Sequence, residues 1–290
     1  MADFEDFYWT SPDGLSLHAR DYAPAVETPR LPVICLHGLT RNARDFEEVA
    51  PRIAATGRRV LAADFRGRGL SAKAIDPMSY LPPVYAGDII AMMTCALIPQ
   101  ALFIGTSLGG LVTMILASMA PQAVAGAVLN DVGPRLSPIG LKRIGGYVGL
   151  SSEAADWKGA AAYAKAVNGA AFPDATDADW DAFARRLFKA DPAGKLSLDY
   201  DPDIAVPFKE IDPDLPPTDL APLFVNLALG RPTLLVHGAL SDLIDQALVD
   251  EMRELAPAMD YVQVPGVGHA PMLTEPAAWA AIETWLAASP

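Results

Sequence analysis

The sequence predicts an α/β fold, a mostly parallel central sheet with helices on both faces and one long helical insertion. Three observations predict it. From residue 31 to 130, and again from 232 to 287, short apolar runs of strand length alternate with longer runs of helical periodicity. The strand-like runs are apolar throughout rather than every second residue, which suits parallel strands covered on both faces. Between about 135 and 228 the alternation stops and the chain reads as helical.

The elements follow in order. Residues 4–10 and 15–22 flank the turn "SPDG" and read as two strands. "LPVICLH" ends at His37 as a buried strand, a helix is expected over 45–56, and residues 59–64 form the next strand before "FRGRG". "YAGDIIAMMTCAL" fits a helix over 85–97, residues 101–106 a strand, 108–119 a helix and 124–129 a strand. No Asp, Glu, Lys or Arg occurs from Ile89 to Asn130. Pro99, Gly105, Gly109, Gly110 and Pro121 cut that stretch into core-length pieces, so no membrane span is expected. Within 135–228, "SEAADWKGAAAYAKAV" and "DADWDAFARRLFKA" have helical periodicity, and no strand is expected there. The rhythm resumes with a strand at 232–238, a helix near 244–255, a strand at 260–266 and a helix near 276–287. The domain reading is therefore a core of 1–134 and 229–290 interrupted by 135–228.

Composition narrows the function. The net charge of −13, from 22 basic and 35 acidic residues, repels phosphate backbones and anionic lipid, so nucleic-acid binding is not expected. Cys35 and Cys95 lie in apolar segments without paired spacing and read as buried thiols. No His/Cys pattern suggests a metal and no glycine-rich loop suggests a nucleotide, so no cofactor is expected. The acidic, aromatic "MADFEDFYWT" carries no leader pattern, which makes a cytoplasmic location the default expectation.

Chemistry concentrates at Gly105-Thr106-Ser107-Leu108-Gly109. A serine between small residues, with a strand before it and a helix after it, is the pattern of a sharp turn that lifts its hydroxyl above the sheet. A bare serine N-cap would need neither the strand nor the paired glycines. The hydroxyl needs a base, and the base an orienting acid. Of the four histidines, His18, His37 and His237 fall within or at the ends of strands. His269, in "PGVGHAPMLTEP", lies in the loop after the last strand and is the candidate base. Two acids follow strand ends at the edge where ligands bind in open α/β sheets: Asp242 in "VHGALSD" and Asp131 in "VLNDVGP". Asp242 is preferred and Asp131 is the alternative, while Asp245 sits a turn too late. The backbone N–H groups of Leu39 and Leu108 are the candidate oxyanion donors, and Thr40 and Arg41 are placed at the pocket entrance.

The pieces "LHGLTR", "DFRGRGLS", "GTSLGG", "HGALSD" and "GVGHAP", spread in order over about 230 residues, make the chain resemble the α/β-hydrolase superfamily in its capped, esterase-like branch. Haloalkane dehalogenases and epoxide hydrolases are similar but carry Asp where this chain has Ser107. The resemblance implies Ser107 as nucleophile, His269 as base and Asp242 as acid. It also implies a helical cap over 135–228 that shapes the pocket. The implied activity is hydrolysis of small to medium apolar carboxylic esters through an acyl-enzyme. Lactone hydrolysis, carbon–carbon bond hydrolysis of diketones and acyl transfer would use the same residues, and a non-catalytic small-molecule receptor is the remote alternative. The partner expected is a small acyl substrate. An apolar cap face and a homodimer interface read alike in sequence.

Overall fold

Residues 4–26, 28–150, 152–209 and 219–290 are described by the computed structural model. The chain begins with strands β1 (Glu5–Thr10) and β2 (Ser16–Tyr22), then β3 (Val33–Leu36), helix α1 (Val49–Ala55) and β4 (Val60–Asp64). Helix α2 (Pro82–Cys95), β5 (Ala101–Thr106), α3 (Leu108–Met119) and β6 (Val124–Asn130) follow. After a long intervening segment come β10 (Thr233–Gly238), α9 (Gln246–Leu255), β11 (Asp260–Val264) and α10 (Pro276–Ala288).

The intervening segment holds α4 (Pro138–Gly145), β7 (Glu153–Ala154), α5 (Trp157–Asn168), α6 (Asp177–Leu187), β8 (Phe188–Ala190), β9 (Leu196–Leu198), α7 (Val206–Lys209) and α8 (Ala221–Ala228).

The main sheet runs β1-β2-β4-β3-β5-β6-β10-β11. β1 and β2 pair antiparallel, and β2 pairs antiparallel with β4; every later pairing is parallel. The expected α/β class with a mostly parallel sheet is borne out. The continuous apolar runs are explained by two hydrophobic clusters, one on each face. In β3, Ile34 and Leu36 point into one cluster while Val33 and Cys35 point into the other; in β5, Phe103 and Ile104 divide the same way. Residues of α2, α3, α8 and α9 cover the first face, and those of α1 and α10 the second. The charge-free stretch from Ile89 to Asn130 is this central layer, and among the described residues no helix is long and apolar enough to cross a membrane.

The structure differs from expectation in three places. A small antiparallel sheet, β7-β9-β8, lies within the segment expected to be helical only. Its strands are two or three residues long, too short to set up a period that sequence can reveal. Helix α8, inside the 135–228 range, packs against α3 and β6 as one of the layer helices of the main sheet. Cys35 is buried as expected, but Cys95, the last residue of α2, is exposed. Within the expected insertion over 135–228, residues 151 and 210–218 lie outside the described residues.

Candidate active site

The turn between β5 and α3 is built around its glycines. A Cβ at Gly105 would collide with the backbone of Gly109 and Gly110, and one at Gly109 with the Leu36 carbonyl of β3. With both absent, α3 starts hard against the strand ends, and Ser107 is forced into the left-handed region at φ 52° and ψ −114°. A serine there costs on the order of 1–3 kcal/mol. The strain is held by bonds on both sides: Ser107 N–H donates to the Asn130 carbonyl (2.9 Å), and the Gly110 N–H donates to the Ser107 carbonyl (2.9 Å).

The Ser107 hydroxyl meets His269 Nε2 at 2.9 Å. His269 lies in the loop after β11, and its Nδ1 is 2.7 Å from Asp131 Oδ2. The carboxylate of Asp131 is fully buried and also accepts from the Gly238 N–H (2.9 Å) and the Ser241 hydroxyl (2.6 Å). These neutral donors suit an ionised carboxylate. Asp131 then accepts the Nδ1–H of His269, which leaves Nε2 as the acceptor for the serine proton. Asp131 sits one residue beyond β6 at φ 56°, and that bend brings it onto the histidine.

The acid preferred from sequence, Asp242, does not make this contact. It forms a two-pronged ion pair with Arg143 of α4, at 2.5 and 2.8 Å. Those hydrogen bonds hold its carboxyl below the ordinary carboxylate range. The structure therefore corrects the pairing: Asp131 meets His269, and Asp242 ties the loop after β10 to the inserted segment. The reason is competition. The Arg143 guanidinium satisfies one acid, and the imidazole with the Gly238 N–H and the Ser241 hydroxyl satisfies the other.

The loop after β3 completes the floor. His37 is buried; its Nδ1 donates to the Gly38 carbonyl at 2.7 Å, and its Nε2 accepts from the Phe65 N–H at 3.1 Å. Both bonds require a neutral ring, and burial pushes its pKa down to about 4. Arg68, from "DFRGRGLS", donates to the Leu39 carbonyl (3.0 Å) and to the Tyr85 hydroxyl. The peptide unit that carries the Leu39 N–H is therefore held through its Gly38 carbonyl by His37, and Arg68 holds the next carbonyl along. Among the described residues neither the Leu39 nor the Leu108 N–H has a backbone or side-chain acceptor.

Above the serine is a cavity of about 90 Å³ whose lining includes Leu39, Thr40, Arg41, Ser107 and His269, so Thr40 and Arg41 line the cavity itself. The inserted segment closes it with Tyr147, Tyr163, Phe172, Phe183 and Tyr200. Other aromatics of the inserted segment pack on the segment itself. Phe188 packs edge-on against Tyr163, Trp180 is buried against Phe183, and Trp157 lies under Arg185.

Sequence reasoning missed Arg68 and His37 as supports of the floor and Asn130 as a tie. The Asn130 amide donates to the Thr106 hydroxyl (3.0 Å) and to the Pro271 carbonyl (2.8 Å), fastening the His269 loop to the serine turn. A polar residue at the carboxyl end of an otherwise apolar strand was the only local signal. His18 and His237 lie elsewhere, the first between Asp6 and Asp64, the second against Tyr261. No group of three or more His, Cys, Asp or Glu side chains is gathered for a metal among the described residues.

Comparison with known proteins agrees with this architecture. Residues 33–282 match the model of the alpha/beta hydrolase family. The 3-hydroxybutyrate-oligomer hydrolase of Cupriavidus necator is 35% identical over 271 residues, covering 92% of each chain. An esterase of Mycobacterium tuberculosis is 41% identical over 103 residues, 35% of this chain and 33% of that one. The crystal structure of an alpha/beta hydrolase from Novosphingobium aromaticivorans superposes with a TM-score of 0.92 at 44% identity, covering 99% of both chains. The family model spans the sheet from β3 to α10 and one relative matches nearly end to end, so the protein belongs to the alpha/beta hydrolase family and is a hydrolase.

Proposed function

We propose that the protein hydrolyses carboxylic esters through a covalent acyl-enzyme on Ser107. The observation that carries this reading is the continuous relay from Ser107 through His269 to Asp131, with bonds of 2.9 and 2.7 Å. His269 Nε2 takes the hydroxyl proton as Oγ attacks the ester carbonyl. The resulting oxyanion is held by the N–H groups of Leu39 and Leu108. The first shares a peptide unit with the Gly38 carbonyl that His37 holds, and the second heads α3, where the helix dipole adds to its pull. The imidazolium, steadied by buried Asp131, returns the proton to the departing alcohol. Water then enters, gives a proton to His269 and releases the acid, restoring the serine.

The small cavity with its aromatic wall favours short acyl groups. The similarity to the 3-hydroxybutyrate-oligomer hydrolase supports short oligoesters of hydroxy acids as substrates. In this reading the segment 135–228 is the cap over the pocket.

The test is a 4-nitrophenyl ester series from acetate to long acyl chains, followed by 3-hydroxybutyrate oligomers, with wild type and Ser107→Ala in parallel. Wild type turns over the short esters with an optimum at few carbons, and Ser107→Ala loses at least about 10³-fold in kcat. Equal turnover by both proteins, or none by wild type on any ester, overturns the reading.

A further inference from the structure

Arg41 and Asp45 are charged side chains of the cavity lining that the relay does not use. Arg41 follows the oxyanion loop, and its Cγ lies 3.5 Å from the point a Cβ on Gly38 would occupy, with the Ser107 Cβ 3.9 Å from the same point. The stem of Arg41 thus starts beside the serine turn, and only 13% of the side chain is exposed. Asp45, one helical turn on, grips one edge of the guanidinium: Nε reaches the two carboxylate oxygens at 3.1 and 2.8 Å, and Nη2 reaches Oδ1 at 2.5 Å. The face of the guanidinium lies over the Phe183 ring, 4.2 Å from its centroid.

A guanidinium has five N–H donors in a rigid plane. Asp45 engages those on the Nε edge. Nη1 has no acceptor among the described residues, although Arg41 lines the cavity. That nitrogen is not sealed in the core, so its donors are open to a ligand in the cavity that Arg41 lines. Asp45 stays ionised: burial alone would push its carboxyl up, but the Arg41 charge and hydrogen bonds outweigh burial and hold it below the ordinary range. The arrangement is a guanidinium gripped by an acid on its Nε edge and stacked on an aromatic ring, in a side chain that lines the cavity, with Nη1 left for a ligand to meet.

Building on the esterase reading, we propose that Arg41 docks a carboxylate carried by the substrate, so that the site selects esters bearing a free acid group a short chain away from the scissile carbonyl. The acid group can belong to either side of the ester: the far end of a dicarboxylic half-ester, or the free end of an esterified hydroxy acid. Asp45 cancels the net charge of the pair, so selection comes from directed N–H donors rather than from a positive field. That is how an anionic substrate can be accepted by a chain with a net charge of −13.

The experiment reads a ratio, which does not depend on how much of a variant is folded. For the acyl side, kcat/KM is measured for mono-4-nitrophenyl glutarate and for 4-nitrophenyl pentanoate. For the alcohol side, the pair is 4-(butanoyloxy)butanoate and pentyl butanoate. The enzymes are wild type, Arg41→Gln, and the double variant Arg41→Gln/Asp45→Asn, which removes Asp45 repulsion as an explanation. In at least one pair the charged-to-neutral ratio falls about 10- to 100-fold in both variants, and the affected pair identifies which side carries the carboxylate. Ratios unchanged in both pairs overturn the proposal, as does a ratio restored in the double variant. A second measurement separates this proposal from the esterase reading: calorimetric binding of the same two carboxylates to Ser107→Ala with and without Arg41→Gln. Binding lost with Arg41 supports the docking role even if no ester is hydrolysed. Neutral esters hydrolysed with no Arg41-dependent carboxylate binding or ratio sink the docking role and leave the esterase reading standing.

Discussion

At the scale of single residues, the chain presents two acids to one histidine and assigns them by what else surrounds them. Asp131 is buried under three donors; Asp242, about a third exposed, is matched to Arg143. The meeting of Ser107 and His269 was legible in sequence, because a serine between glycines at a strand–helix junction and a loop histidine after the last strand are local patterns. The acid was not. Both candidates follow strand ends, and the choice turns on Arg143, 99 residues from Asp242, and on Ser241, 110 residues from Asp131. The consequence is a pair of variants with opposite outcomes. Asp131→Asn should lower kcat on a short ester by about 10³- to 10⁴-fold, since an amide favours the wrong tautomer of His269. Asp242→Asn should leave kcat within about threefold of wild type and instead loosen the tie to α4. Steady-state kinetics of the two proteins checks this, and the reverse order would return the acid to the loop after β10.

At the scale of elements, the serine turn depends on how closely α3 approaches β3. The strands and helices of the main sheet were legible because each is long enough to show its pattern. The small sheet was hidden in strands of two or three residues, and the place of α8 beneath the inserted segment is a matter of packing that helical periodicity does not encode. Gly109 is where element geometry and chemistry meet, since a methyl group there meets the Leu36 carbonyl, which is backbone and cannot swing aside. Gly109→Ala should destabilise the fold by about 1–3 kcal/mol, read in urea unfolding. It should also cost activity beyond that loss, because moving α3 moves the Leu108 N–H away from the oxyanion. Full activity with unchanged stability would show that α3 is not held against β3 as described.

At the scale of the molecule, protonation and folding are linked through buried histidines. His37 is neutral in the fold, with its pKa at about 4 against an ordinary 6.5. The unfolded chain binds that proton first as pH falls, so the contribution of His37 is complete above about 6.5 and is lost toward 4. The loss amounts to about 3 kcal/mol. His18 works in the opposite sense. Burial opposes its charge, but Asp64 and Asp6 outweigh that and raise its pKa, so its contribution is present at low pH and lost as pH rises. In a ring-proton NMR titration His37 should stay unshifted from pH 7 to 5, while His18 takes its proton at a higher pH than an ordinary imidazole. A His37 signal moving near pH 6.5 would mean the floor of the site is not sealed. The relay also has a lopsided address in the chain. Ser107 and Asp131 come from neighbouring parallel strands joined by a single helix, but His269 arrives from 162 residues beyond the serine. Contacts of such separation are the late ones to form, because closing the longer loop costs more entropy. A newly made chain could therefore assemble β5, α3 and β6 with the serine and its acid already in place, yet remain inert. On the proposed mechanism, the arrival of the loop after β11 completes the relay, so catalytic competence would mark the completion of the sheet, and the nascent protein would carry no active serine while its interior is still open.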